Sequence, residues 1–366
     1  MIDRRLITNI DWVLVGLVAT VCLLGILNIY SATAPYKIIG TAYYIKQIYW
    51  MLVGMIISLL VCSLDYHILE DLSYWSYALL LLLLLAVLVV GRRSMGATRW
   101  LNLGFFTIQP SEFMKLVIIV TFARFFNNFQ SVNGLTVKEV LIPLSLLALP
   151  AALIMKQPDL GTATLVILIA LSMIIYVGLR WSTIVTFVCI TIPMAWIAWA
   201  FLLRPYQINR ILDFLNPERS RLGSGYHIIQ SKIAVGSGGF IGKGYIKGTQ
   251  SQLRFLPEQH TDFAFSVFAE EWGFIGCLLL IVLYLSLVLW GLNIARRCND
   301  RFGGLLAVGV TAMLFWHIVI NMGMVIGLFP VVGVPLPFFS YGGTSMITSM
   351  VGIGLLQNIS MRRFMF

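Results

Sequence analysis

Ten apolar runs, most of them near twenty residues long, follow one another along this 366-residue chain. At about 1.5 Å rise per helical residue, about twenty residues cross a hydrocarbon core of about 30 Å. Lipid offers no partner to an unpaired backbone amide, so such runs must be helices. They are expected at residues 12–31, 47–64, 73–91, 110–126, 139–155, 159–178, 181–203, 263–292, 304–328 and 343–360. Composition agrees, with 59% hydrophobic and 11% charged residues, where a soluble domain carries about a quarter charged. The expected fold is all-α: one polytopic membrane domain over residues 1–366, with about ten transmembrane helices. Two long connections remain, residues 92–109 and 204–262, the larger between the seventh and eighth helices.

A net charge of +10 raises nucleic acid as a ligand, but no basic helix or aromatic RNA-binding signature accompanies it. The cations lie in short connections and in the long loop, where anionic headgroups or a phosphorylated lipid would meet them. Orientation follows from Arg4, Arg5, Arg124, Lys138, Arg180, Arg296, Arg297, Arg301, Arg362 and Arg363. These outnumber Lys37, Lys46, Arg92, Arg93, Arg99 and Lys156 on the other side, which puts both termini in the cytoplasm and both long connections outside. Cys22, Cys62, Cys189, Cys277 and Cys298 are scattered without disulfide or zinc spacing. The first run ends in Ala32-Thr33-Ala34, but it is longer than a signal core and Pro35 suits a loop, so it is expected to stay as a span.

Three segments entering from the outer side open on an acid: Gln109-Pro110-Ser111-Glu112, Gln157-Pro158-Asp159 and His260-Thr261-Asp262. Three carboxylates from distant parts of the chain are therefore expected at a similar depth. Each also has a plain structural reading. Asp159 and Asp262 stand where an N-cap side chain accepts amide protons and favours the helix dipole. Glu112 and Lys115, three residues apart, can enter the bilayer as an ion pair. Against the plain reading, Asp262 follows a loop dense in Arg and Gly, and acids near the membrane are read as functional by default. Glu270-Glu271 should lie about two turns below Asp262, one facing a polar cavity and the other a cation.

The stretch Gly236-Ser237-Gly238-Gly239-Phe240-Ile241-Gly242-Lys243-Gly244 fails both nucleotide patterns. Ser237 and Gly244 break the P-loop, and Ile241 replaces the third glycine of a dinucleotide fingerprint. It reads either as a flexible loop or as amide nests that wrap phosphate oxygens beside Lys232, Lys243 and Lys247. No organic cofactor is expected. Residues 333–345 break two apolar runs with Pro and Gly, and such backbone survives only where it is buried or lines a cavity. His260 and His317 have no partners at metal spacing and read as polar groups satisfied inside the bundle.

Together these motifs resemble the SEDS family (shape, elongation, division and sporulation), bacterial membrane glycosyltransferases that polymerise lipid II. The carriers span nearly the whole chain: Gly96-Ala97-Thr98-Arg99-Trp100, Gln109-Pro110-Ser111-Glu112 with Lys115, Gln157-Pro158-Asp159-Leu160-Gly161-Thr162, Gly225-Tyr226 with Gln230-Ser231, Gly236 to Gly244, Pro257-Glu258-Gln259-His260-Thr261-Asp262-Phe263, Glu270-Glu271 and Pro335 to Ser345. The wording of residues 255–260 is closer to the elongation branch than to the division branch.

The resemblance implies an inverting peptidoglycan glycosyltransferase that forms β-1,4 linkages at the outer face of the cell (inner) membrane for elongation and rod shape. It implies a class B penicillin-binding protein and other elongation-complex membrane proteins as partners, and a possible divalent cation, Mg²⁺ or Mn²⁺. An acceptor hydroxyl needs a carboxylate to take its proton, and by resemblance that base is Asp262. Substrate contacts are assigned to Arg99, Trp100, Glu112, Lys115, Asp159, Arg210, Lys243, Glu258, His260 and Ser340. Arg99 and Lys115 are favoured for the leaving diphosphate. Two rival functions are a flippase of polyprenyl-linked precursor, which would place essential residues through the midplane, and a scaffold that only activates the penicillin-binding protein.

Overall fold

The structure, a computed structural model, describes residues 9–94, 97–102, 104, 107–129, 134–197, 200, 205–220, 224–256 and 258–363. Arg4, Arg5, Gly96 and Pro257, used above, lie outside the described residues.

Seven long helices come first: α1 (Trp12–Thr33), α2 (Lys37–Ser63), α3 (His67–Val90), α4 (Pro110–Asn127), α5 (Val137–Lys156), α6 (Leu160–Val177) and α7 (Trp181–Ile197). Among the described residues of the large connection lie three shorter ones: α8 (Pro205–Leu215), α9 (Ser224–Ser237) and α10 (Thr249–Gln252). Then come α11 (Ala264–Arg297), α12 (Arg301–Ile326) and α13 (Gly343–Arg362). Seven of the long helices are apolar enough to cross a bilayer by composition alone: α1, α2 from Tyr43, α3, α5, α6, α11 and α12. The other three complete the order. α7 is described over Trp181–Ile197, α4 carries Glu112, Lys115 and Arg124, and α13 is rich in Ser, Thr, Gln and Asn. Most side chains of α4 and α13 are buried, as polar spans require.

Local chemistry sets the helix ends. Asp11 accepts the amide of Leu14 at the start of α1, Thr136 and Glu139 form a capping box at α5, and Asp300 caps α12. Gly327, at φ 75°, closes α12 in the left-handed conformation that glycine tolerates. Small residues seat α13 on α2: a Cβ on Gly54 would lie 2.8 Å from Met350, and one on Gly354 would lie 2.9 Å from the Ser58 oxygen. Asn358 seals the pair by donating to the main-chain oxygens of Val61 and Leu64.

Connections alternate between the two ends of the bundle. One end carries the turn after α1 and the described residues of the 91–109, 157–159, 198–263 and 327–342 connections. The 91–109 connection adds a small element to the helical fold, a three-stranded antiparallel sheet of β1 (Arg92–Ser94), β2 (Ala97–Asn102) and β3 (Thr107–Ile108) in that order. Leu101 pairs with Ile108, which returns the chain to the start of α4.

Helix α11 breaks at Gly273 (φ 63°, ψ −160°). The break frees the carbonyls of Glu270 and Glu271 and the amides of Phe274 and Ile275, and the glycine-rich loop satisfies all four. Lys243 and Gly244 donate to Glu270 and Glu271 at 3.0 Å each, while Phe274 and Ile275 donate to Gly239 and Phe240 at 2.9 and 3.2 Å. Only glycine fits the contact, since a Cβ on Gly242 (φ 88°) would lie 2.2 Å from the Glu271 oxygen. This corrects the amide-nest reading: the Lys243 and Gly244 amides complete a broken helix.

The depth of the acid pair is corrected too. Asn28 holds the Ala264 oxygen at 2.9 Å, whereas Glu271 reaches Ser31, nearer the end of α1. The stretch before Gly273 therefore rises toward the loop-bearing end. After the break the helix descends until Trp290 donates to Asp11 at 2.8 Å.

Candidate functional site

Asp159 gathers the first part of the site. It caps α6, its carboxylate accepting from Thr162 Oγ1 at 2.9 Å, Gln109 at 2.8 Å and Ser111 at 3.2 Å. Arg99, half-buried on β2, donates to the Pro158 oxygen and brings its guanidinium within 3.9 Å of Asp159. The capping reading of Asp159 therefore holds, and the same group ties β2, α4 and α6 together. Trp100 follows Arg99 in the strand and is half-buried on the opposite face.

Asp262 behaves differently. Helix α11 begins at Ala264 with Phe263 in the N-cap place and no side-chain cap, so the Asp262 carboxylate does not cap the helix. Asn321 of α12 donates one amide to both the Asp262 main-chain oxygen, at 3.0 Å, and the Val334 oxygen, at 2.6 Å. The carboxylate rests over Gly333, where an added Cβ would lie 3.3 Å from Oδ2. Burial pushes the Asp262 carboxyl up to about 6, and Glu258 adds to this; Arg99 and Arg210 oppose the rise, and Asp159 supports it. Groups from three separate connections thus share one electrostatic neighbourhood. A carboxyl near 6 is ionised at neutral pH and still basic enough to accept a proton.

A second, buried cluster stands behind the Gly333–Pro335 backbone. Lys115 Nζ lies 2.9 Å from Glu112 Oε1, which is the ion pair expected from their spacing. It also lies 2.8 Å from His317 Nε2, and His317 Nδ1 lies 3.2 Å from the Pro335 oxygen. His317 is thus a polar group satisfied inside the bundle, as the sequence suggests; Asn321 is the residue the sequence reading does not single out. The available signal was their i, i+4 spacing, which puts two polar side chains on one face of an otherwise apolar helix.

The remaining candidates lie around or away from this centre. Glu258 is exposed, and Arg210 on α8 is half-buried. His260 packs against the rings of Tyr43 and Tyr341, at 4.3 and 5.8 Å between centres. Burial lowers its pKa against the pull of Glu258. Ser340 is buried in a turn, accepting the Leu336 amide at 3.1 Å. Lys243 is engaged by Glu270 at 2.8 Å, beside the helix break. An apolar groove of about 630 Å³ between α6 and α7, lined by Ile175, Leu179, Phe187 and Ile192, opens toward the opposite end and takes no part in the site.

Comparison with known proteins places this arrangement in a lineage. The family model for FtsW/RodA/SpoVE, described as cell cycle protein, matches residues 11–364. The peptidoglycan glycosyltransferase MrdB of Escherichia coli K12 is 43% identical over 87% of this chain and 86% of its own. The peptidoglycan glycosyltransferase RodA of Treponema pallidum is 35% identical over 98% and 99%. Among solved structures, a chain of a peptidoglycan synthase complex that coordinates polymerization and crosslinking superposes with a TM-score of 0.84 at 34% identity, covering 98% of this chain and 99% of that one. The rod shape determining protein RodA of Thermus thermophilus gives 0.72 at 30% identity, covering 97% and 98%. This chain belongs to the FtsW/RodA/SpoVE family of cell cycle proteins.

Proposed function

We propose that this chain is a peptidoglycan glycosyltransferase that polymerises lipid II into β-1,4-linked glycan strands at the outer face of the cell membrane, for elongation and rod shape. The observation that carries the mechanism is Asp262: a half-buried carboxyl raised to about 6 that caps no helix, rests over Gly333 and lies within the electrostatic reach of Arg99 and Arg210. With both termini cytoplasmic, as the distribution of Lys and Arg favours, the loop-bearing end meets the outer leaflet.

The donor is a sugar held through diphosphate to a polyprenyl lipid. Asp262 takes the proton of the acceptor hydroxyl as that oxygen attacks the anomeric carbon and the C–O bond to the diphosphate breaks. Displacing an α-linked diphosphate inverts the centre and yields a β linkage without a covalent sugar–enzyme intermediate. Negative charge grows on the departing diphosphate, where fixed cations stabilise the transition state. Arg99, Arg210 and Lys115 are assigned to it, with Trp100, Glu258 and His260 at the saccharide and Asp159 holding Arg99.

Among the described residues no three His, Cys, Asp or Glu side chains converge as metal ligands. A Mg²⁺ or Mn²⁺ arriving with the diphosphate would supply neutralisation of leaving-group charge. A class B penicillin-binding protein is the assigned partner, crosslinking the strands made here.

The test supplies lipid II to the purified chain with that partner and resolves glycan strands on a gel, beside a vesicle assay for lipid II translocation. Polymer supports the reading. Translocation without polymer replaces it with transport.

A further inference from the structure

The polar groups of α12 have no assigned part in the reaction above, yet two of them touch both halves of the site. His317 and Asn321 are one turn apart on the same face, and both are buried. Asn321 fixes the Asp262 and Val334 oxygens. His317 fixes the Pro335 oxygen on one side and the Lys115 ammonium on the other. The backbone of residues 333–335 is thus pinned between the Asp262 carboxylate, resting on Gly333, and the Lys115 cation.

The two ring contacts of His317 fix its protonation pattern. A carbonyl oxygen only accepts, so Nδ1 carries the hydrogen and donates to Pro335. An ammonium only donates, so Nε2 must present its lone pair to Lys115. A doubly protonated ring would aim an N–H at an N–H and set two cations 2.8 Å apart. The arrangement therefore holds a neutral imidazole and a charged lysine. Of the three ammonium hydrogens, one faces Glu112 and one faces His317, which leaves a third donor direction. Glu112 Oε2, beside it, is buried with no hydrogen-bond partner among the described residues.

We propose that His317 is a positioning residue for glycosyl transfer. Its Nε2 lone pair holds the Lys115 ammonium, charged and in one rotamer, so that the third N–H points to an oxygen of the diphosphate leaving group. Its Nδ1–H, together with Asn321, fixes that cation relative to Asp262 through the 333–335 backbone. This rests on the reading of Lys115 as a leaving-group cation. The role is geometric: His317 exchanges no proton with substrate, and removing it misplaces the cation.

The test compares wild type, Lys115→Met, His317→Phe and His317→Gln, each purified with the penicillin-binding partner and matched for thermal stability. The readout is turnover and KM for lipid II. Glutamine restores an acceptor for Lys115, whereas phenylalanine fills the space without one. His317→Phe is expected to lose about tenfold to a hundredfold in kcat, the usual cost of misplacing a catalytic group, with KM little changed, and His317→Gln to regain most of it. If Lys115→Met is inactive while His317→Phe turns over like wild type, the positioning role is wrong and the glycosyltransferase reading stands. If Lys115→Met is fully active, the assignment of Lys115 falls and the positioning role with it.

A measurement independent of activity is nitrogen NMR of histidine-labelled protein, which has only four histidines to assign. The expected spectrum has the Nδ1–H tautomer at His317, its Nε2 resonance shifting in Lys115→Met. An Nε2–H tautomer would overturn the proposal whether or not His317→Phe folds.

Discussion

Arg99 on β2 reaches the corner between α5 and α6, where its guanidinium lies 3.9 Å from the Asp159 carboxylate and bonds the Pro158 oxygen. The arginine is partly exposed and the contact is long, so its share of stability is small, about 1 kcal/mol or less. Its electrostatic reach to Asp262 is another matter. Arg99→Gln is expected to unfold within a few degrees of wild type and to lose about a hundredfold in kcat/KM for lipid II. Thermal melts and initial rates on one preparation check both.

Catalysis by Asp262 needs the ionised carboxylate, so kcat/KM should rise with pH through a limb near the carboxyl value of about 6. Glu258→Gln removes a charge that raises this value and should move the limb to lower pH. Arg210→Gln removes one that lowers it and should move the limb up. A pH–rate profile of the three proteins tests the signs.

Stability carries the opposite signature. A carboxyl raised in the folded state stabilises the fold below its ordinary value of 3.8, and that contribution is lost as pH rises through about 6. Asp262→Asn cannot ionise. It should melt above wild type at neutral pH, and the gap should close on acidification. Melting curves across this range decide the matter.

The glycine-rich loop should tolerate substitution unevenly. Gly242→Ala sets a Cβ 2.2 Å from the Glu271 oxygen at a left-handed φ and should cost several kcal/mol, enough to disrupt folding. Gly236→Ala meets nothing within 4 Å and should behave as wild type. Expression and melting temperature in detergent separate the two.

Lys243 belongs to the same junction. Lys243→Met strands the buried Glu270 carboxylate, which also accepts the amides of Gln250 and Ser251. It should lower stability by about 3 kcal/mol while KM of the folded fraction stays unchanged. A KM raised tenfold without loss of stability would instead make Lys243 a phosphate contact.

The membrane-spanning order was legible because apolar length is a one-dimensional property; α5, α6 and α13 begin within two residues of their apolar runs. So was the Glu112–Lys115 pair, whose spacing fixes a shared helix face. What sequence could not display was the direction of the chain inside the 204–262 connection. Residues 263–292 read as one apolar run, and only the docking of Gly242 against Glu271 reveals the break at Gly273 and returns Glu270 and Glu271 to the loop-bearing end. That the Asp262 side chain does not cap α11 also needed coordinates, since it turns on Phe263 occupying the N-cap place. The pairing of His317 with Lys115 was not legible because the two lie on different helices.

The decisive measurement is glycan-strand formation from lipid II by wild type and Asp262→Asn, each with the transpeptidase partner and matched for folded, partner-bound protein. Strands from wild type and at least about a hundredfold less from the variant are expected if Asp262 is the general base. Equal polymer from both would contradict that assignment and leave Asp262 as a structural residue at the head of α11.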